Sequence, residues 1–176
     1  MKLNKIMLTV VMALGTISMA NAANQGSGSV TFKGSIVAAP CSIEPESLDQ
    51  TVALGDIASA QLANGGKSTP QDFLIKLVGC EVEENVTKTM TTTFTGAESA
   101  AVPGLLAMKG SARGASIAIN DVDGKLLKLG TASKAQEITN GQTTLRFSAH
   151  LQGDGASAAI TPGEFSSVAD FTLAYQ

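Results

Sequence analysis

Thr143-Thr-Leu145-Arg-Phe147-Ser-Ala149-His-Leu151 alternates between apolar and polar side chains without a break. Leu145, Phe147, Ala149 and Leu151 share one face, and Thr144, Arg146, Ser148 and His150 share the other. A period of two belongs to a pleated strand with one buried face. A helix would need apolar residues three and four apart. Asn140-Gly141 precedes the stretch and Asp154-Gly155 follows it, and both pairs favour turns.

The same reading extends in both directions. Strands are expected over Thr51–Ile57, over Phe73, Ile75 and Leu77 up to Cys80, and over the Thr-rich stretch 89–95, whose β-branched side chains suit a pleated backbone. Ser116–Asn120, Lys125–Leu129 and Val168–Tyr175 complete the set. Asn64-Gly65-Gly66, Asp123-Gly124 and Pro162-Gly163 punctuate it, and Asp123-Gly124 suits a tight hairpin. Ala58–Ala63 is expected to form a short helical turn. Short strands between turn clusters predict an all-β sandwich of immunoglobulin-like size, with no internal repeat.

The first residues carry an export signature. Lys2 and Lys5 precede an apolar run from Ile6 to Ile17, and small residues stand at Ala20 and Ala22. This is the pattern of a signal peptide cleaved after Ala22. The run is short for a bilayer, which needs about 20 apolar residues. Cutting 22 residues from 176 leaves 154, which suits one domain. Removing Lys2 and Lys5 from 12 basic residues leaves 10 against 15 acidic ones, a net charge of −5. That balance excludes a basic nucleic-acid binder, and no second apolar stretch suggests stable membrane insertion.

Cys41 and Cys80 are the only cysteines. In an exported chain such a pair is expected to form a disulfide. Their separation fits neither C-x-x-C redox chemistry nor zinc ligation. Closing that loop should stabilise the fold by about 3–4 kcal/mol.

The N-terminal segment is unusual. A flexible Asn24-Gln-Gly-Ser-Gly-Ser29 lead precedes Val30-Thr-Phe32-Lys-Gly34-Ser-Ile36. Val30, Phe32, Gly34 and Ile36 share its apolar face. Gly inside a strand weakens it and permits close approach. An ordinary first strand with a bulge is one reading, and a strand that completes another chain's sheet is the other. At the far end, Phe171, Leu173 and Tyr175 alternate almost to the last residue. A sandwich that stops there is expected to be one strand short.

These landmarks resemble the pilins of chaperone–usher fimbriae, of the type 1 and P pilus kind, and best the major subunits. The resemblance rests on Gly28–Ile36, then Ala39-Pro40-Cys41-Ser42-Ile43, Cys80, Gly163 and Phe171-Thr-Leu173-Ala-Tyr175. It covers the whole mature chain. It implies an incomplete immunoglobulin-like sandwich of six core strands over residues 37–176, with a donor-strand extension over residues 23–36. Val30, Phe32, Gly34 and Ile36 would be the donor residues. Phe171, Leu173 and Tyr175 would line the acceptor and chaperone-binding strand, approached at Gly163. The implied partners are a periplasmic chaperone, an outer-membrane usher and neighbouring copies of the pilin, in a cell-surface fimbria that supports adhesion.

No catalytic or cofactor chemistry is expected. His150 is the only histidine, and the alternation places it on the solvent face. A catalytic or metal role would need positioned partners. Glu81, Glu83 and Glu84 read as a solvated loop rather than a calcium site. Two alternatives stay open: a minor adaptor-type subunit, or a secreted, self-complete sandwich that binds a ligand. A terminator would lack a usable donor strand, and a two-domain tip adhesin would need a second domain. The scarcity of aromatic residues argues against a sugar platform.

Overall fold

Gln71–Cys80 and Gly141–Gly153 form the centre of the structure, a computed structural model that describes residues 27–83 and 88–176. The expected signal peptide and residues 23–26 of the extension lie outside the described residues, as does Glu84. The chain divides into two units, residues 1–36 and Val37–Gln176. Of the first, residues 27–36 are described. They form no strand, and Val30, Phe32 and Ile36 are exposed. No helix among the described residues is long and apolar enough to cross a membrane.

The second unit is built from short elements. In chain order they are β1 (Ser42–Ile43), α1 (Pro45–Leu48), α2 (Ser59–Leu62), β2 (Gln71–Cys80), β3 (Thr89–Gly96), β4 (Lys109–Gly110) and β5 (Ala115–Asn120). There follow β6 (Leu126–Leu127), β7 (Gln136–Glu137), β8 (Gly141–Gly153), β9 (Phe165–Ser166) and β10 (Ala169–Tyr175). One sheet has the order β1-β2-β8-β5-β6 and a second has β10-β3-β7, while β4 and β9 make a small ribbon. All the strand pairs are antiparallel.

The alternation of β8 sets the register. Leu145 faces Ile75 and Phe147 faces Phe73 across the β2–β8 pair, which aligns two apolar rows on one face. Phe94 of the second sheet meets both rings, 6.0 Å from Phe73 and 5.0 Å from Phe147 between centroids. Both contacts are edge-to-face, a favoured arrangement of aromatic quadrupoles. The two sheets therefore meet as a sandwich across this aromatic cluster. Gly79 has φ +60° at the β-bulge where β2 reaches Cys80, a backbone conformation that favours glycine. Cys80 is disulfide-bonded there to Cys41, and both are buried.

Three expectations need correction. Residues 51–57 form no strand, although Val52, Leu54 and Ile57 are half-buried as their spacing requires. Lys125–Leu129 supplies only the two residues of β6. His150 is buried, not solvent-facing. Beside it Ser68 continues the edge of β8 beyond β2, its N–H donating to the Leu151 carbonyl and its Oγ accepting from the Leu151 N–H, both at 2.9 Å. Asn120 Nδ2 meets His150 Nδ1 at 3.1 Å, and burial lowers the imidazole pKa, with the Lys67 charge acting in the same direction. The helical turn expected over Ala58–Ala63 is realised as α2.

Candidate functional site

The C-terminal strand has a partner on one side only. β10 pairs with β3 over its whole length, from Ala169 opposite Gly96 to Tyr175 opposite Met90. Its other edge pairs with no strand among the described residues. Ala169, Phe171, Leu173 and Tyr175 point inward but are only half-buried, and Asp170, Thr172 and Ala174 are exposed. The Phe171 ring lies 6.3 Å from that of Phe94. Partial burial raises the pKa of the Tyr175 phenol.

Beside this edge runs a groove. Its wider part is a cavity of about 560 Å³, walled by Ser47–Val52 and Leu54 on one side and Ser167–Phe171 on the other. Phe73, Ile75, Phe94, Ile117 and Ile119 line its floor. A narrower part of about 300 Å³ continues along the same walls, with Gly55–Ile57 facing Ile160–Gly163 and Phe165. The opposite wall is as unpaired as the free edge of β10, since residues 51–57 form no backbone hydrogen bond to another described residue. β10 and residues 51–57, each with a backbone edge that no described residue pairs, thus flank an apolar floor. An apolar groove bounded by unpaired backbone edges is the geometry that strand addition uses.

Gly163 anchors the approach to that edge. A Cβ there would collide with Ser111 Oγ and would lie 2.7 Å from the Ala112 nitrogen. The close approach lets Ser111 Oγ accept from the Glu164 N–H at 3.1 Å, and the Ser111 N–H donate to the Glu164 carbonyl at 3.0 Å. Gly34 is the reverse case, with nothing within 4 Å of the position a Cβ would take. The sequence-predicted residues Gly163 and Phe171 therefore line the groove. Leu173 and Tyr175 continue the same edge beyond the lining, and Val30, Phe32, Gly34 and Ile36 lie in the separate N-terminal unit.

Sequence reasoning missed the wall over Ser47–Leu54 and the floor. The available signal was the half-buried spacing of Val52, Leu54 and Ile57.

Comparison with known proteins places the chain in a family. Residues 30–176 match the family described as fimbrial protein.

The chain belongs to the fimbrial protein family.

It is 59% identical over 176 residues to the Fimbria A protein of Serratia marcescens, covering all of both chains. It is 47% identical over 178 residues to the Major MR/P fimbria protein of Proteus mirabilis, again covering all of both. A solved chaperone–usher pilus structure, concerned with its rod, matches with a TM-score of 0.73 and 33% identity, over 86% of this chain and 97% of that one. This fimbrial chain is a structural subunit of the major-pilin type, on a cell-surface fimbria, and not an enzyme. Its fold is the incomplete immunoglobulin-like sandwich of chaperone–usher pilins.

Proposed function

We propose that this fimbrial subunit polymerises by donor-strand exchange, the groove of one copy accepting the N-terminal strand of the next. The observation that carries the reading is the pair of unpaired backbone edges, residues 51–57 and β10, over an apolar floor. Residues 1–22 are removed on export, residues 23–36 are the donor extension and residues 37–176 are the pilin domain. A periplasmic chaperone fills the groove first, and exchange takes place at an outer-membrane usher. Val30, Phe32, Gly34 and Ile36 face the floor of the neighbour's groove, while Gly163, Phe171, Leu173 and Tyr175 mark its accepting edge.

The energetics support insertion. Val30, Phe32 and Ile36 are 76%, 90% and 105% exposed. Burying each is worth roughly 1.5–3 kcal/mol. Main-chain hydrogen bonds on both edges add affinity without demanding a particular side chain. Head-to-tail pairing does not close on itself, so it builds a filament. Dissociation requires a whole strand to leave, which makes the filament kinetically stable.

Gly34 makes the test clean. Because its Cβ position is open here, Gly34→Leu introduces no clash within the subunit. It should nevertheless abolish polymerisation, because the added side chain meets the floor of a neighbour. Ser35→Leu, on the opposite face, should assemble. The readout is the ladder of oligomers on a denaturing gel without heating, together with surface fimbriae counted by electron microscopy. Equal assembly of the two variants would overturn the reading, as would assembly after deletion of residues 23–36.

A further inference from the structure

We propose that Lys33 of the incoming copy is the charged anchor of the exchange, seated between Asp170 on one wall of the groove and Asp49 on the other. The proposal rests on the strand-insertion reading above and adds a charged contact that helps to fix its register. Lys33 is the only charged residue between Ala23 and Pro40, and its side chain is exposed. With Val30, Phe32, Gly34 and Ile36 turned to the floor, Lys33 points outward near the middle of the inserted strand.

The groove offers a matching seat. Asp49 and Asp170 line the wider cavity from opposite walls, and no other charged residue lines it. Neither carboxylate has an ion-pair partner among the described residues. Leu48 and Val168 stand beside them on the same two walls, 61% and 73% exposed, although both are large apolar side chains. A lysine suits this combination. Its methylene stem covers apolar surface while its ammonium reaches the carboxylates.

Alternation alone leaves the register open. A slip of one residue turns every apolar side chain away from the floor and is rejected. A slip of two keeps all the faces correct and displaces the strand by about 7 Å, although it puts Phe32 or Ile36 at the place that Gly34 takes on the floor. That displacement also carries Lys33 away from both carboxylates, so the charge acts together with Gly34 against a slipped register. Attraction between opposite charges also raises the encounter rate, most strongly at low salt.

The test uses full-length chains with four changes: Lys33→Asp, Lys33→Gln, Lys33→Asp combined with Asp170→Lys, and Gly34→Leu as reference. All the charge changes are at exposed positions. Lys33→Asp should slow polymerisation about tenfold at low salt, and Lys33→Gln by a smaller factor. The Lys33→Asp deficit should shrink in about 1 M salt, where charges are screened within about 3 Å. Adding Asp170→Lys should recover most of the lost rate. If Lys33→Asp polymerises at the wild-type rate while Gly34→Leu does not, the anchor is wrong and strand insertion stands. A deficit that persists at high salt, or that Asp170→Lys does not reduce, also overturns the anchor. If Gly34→Leu polymerises normally, strand insertion itself fails.

Discussion

β8 and β10 look alike in sequence and differ in the structure. Each alternates over its length, and each puts a phenylalanine and at least one leucine on its inner face. β8 has β2 on one side and β5 on the other, and Leu145, Phe147 and Leu151 are buried. Among the described residues β10 has only β3, and Phe171 and Leu173 are half-buried. Alternation therefore reports which face turns inward. The number of neighbouring strands decides how far that face leaves solvent, and the shortfall at β10 is what a polymerising subunit needs.

Truncating one phenylalanine in each strand gives the largest test of this contrast. Phe147→Ala removes a ring packed against Phe73 and Phe94 and should cost about 3–5 kcal/mol in urea unfolding of the subunit. Phe171→Ala should cost less than half as much there, since its ring is already partly solvated. In assembled fibres the order should change, with Phe171→Ala strongly accelerating dissociation by opening the inserted edge. Equal costs in the isolated subunit would show that β10 already behaves as finished core.

The disulfide tests the opposite wall. Cys41 joins the end of β2 to the start of the stretch that continues through α1 into residues 51–57. That wall has few backbone bonds of its own, apart from contacts such as the Lys76 N–H to Ser47 Oγ at 3.1 Å and Gln50 Nε2 to the Leu74 carbonyl at 3.2 Å. Replacing both cysteines by alanine should lower unfolding stability by about 3–4 kcal/mol. Proteolysis should then cut first within residues 44–57. A uniform loss of protection across the subunit would instead place the bond's effect on the whole sandwich.

Where the sequence was legible, the element had its partners within the chain. β2, β3, β5, β8 and β10 all lie where alternation or β-branched content predicted them, within a few residues. The stretches 30–36 and 51–57 carry the same pattern and form no strand. A strand is a property of a pair, and side-chain spacing cannot say whether a neighbour is present. β1, β4, β7 and β9 have two residues each, too few for any period to register. The accepting edge could be read from Phe171, Leu173 and Tyr175, whereas the floor draws on residues far apart in the chain.

His150 gives the smallest of the three effects, and it concerns the outer face of the strand whose inner face holds Phe147. Its burial holds the imidazole pKa below the ordinary 6.5, and the Lys67 charge lowers it further. As pH falls below that ordinary value, the unfolded chain binds a proton that the folded chain resists. Stability is therefore full above it and is lost as pH falls through the lowered folded value. Urea unfolding midpoints should drop between about pH 7 and pH 5 in the native chain, and drop less in His150→Gln. Identical pH dependence of the two chains would mean that water reaches His150 in the folded chain. A difference would show that β8, paired on both edges, also keeps His150 on its other face out of water, in contrast to the open edge of β10.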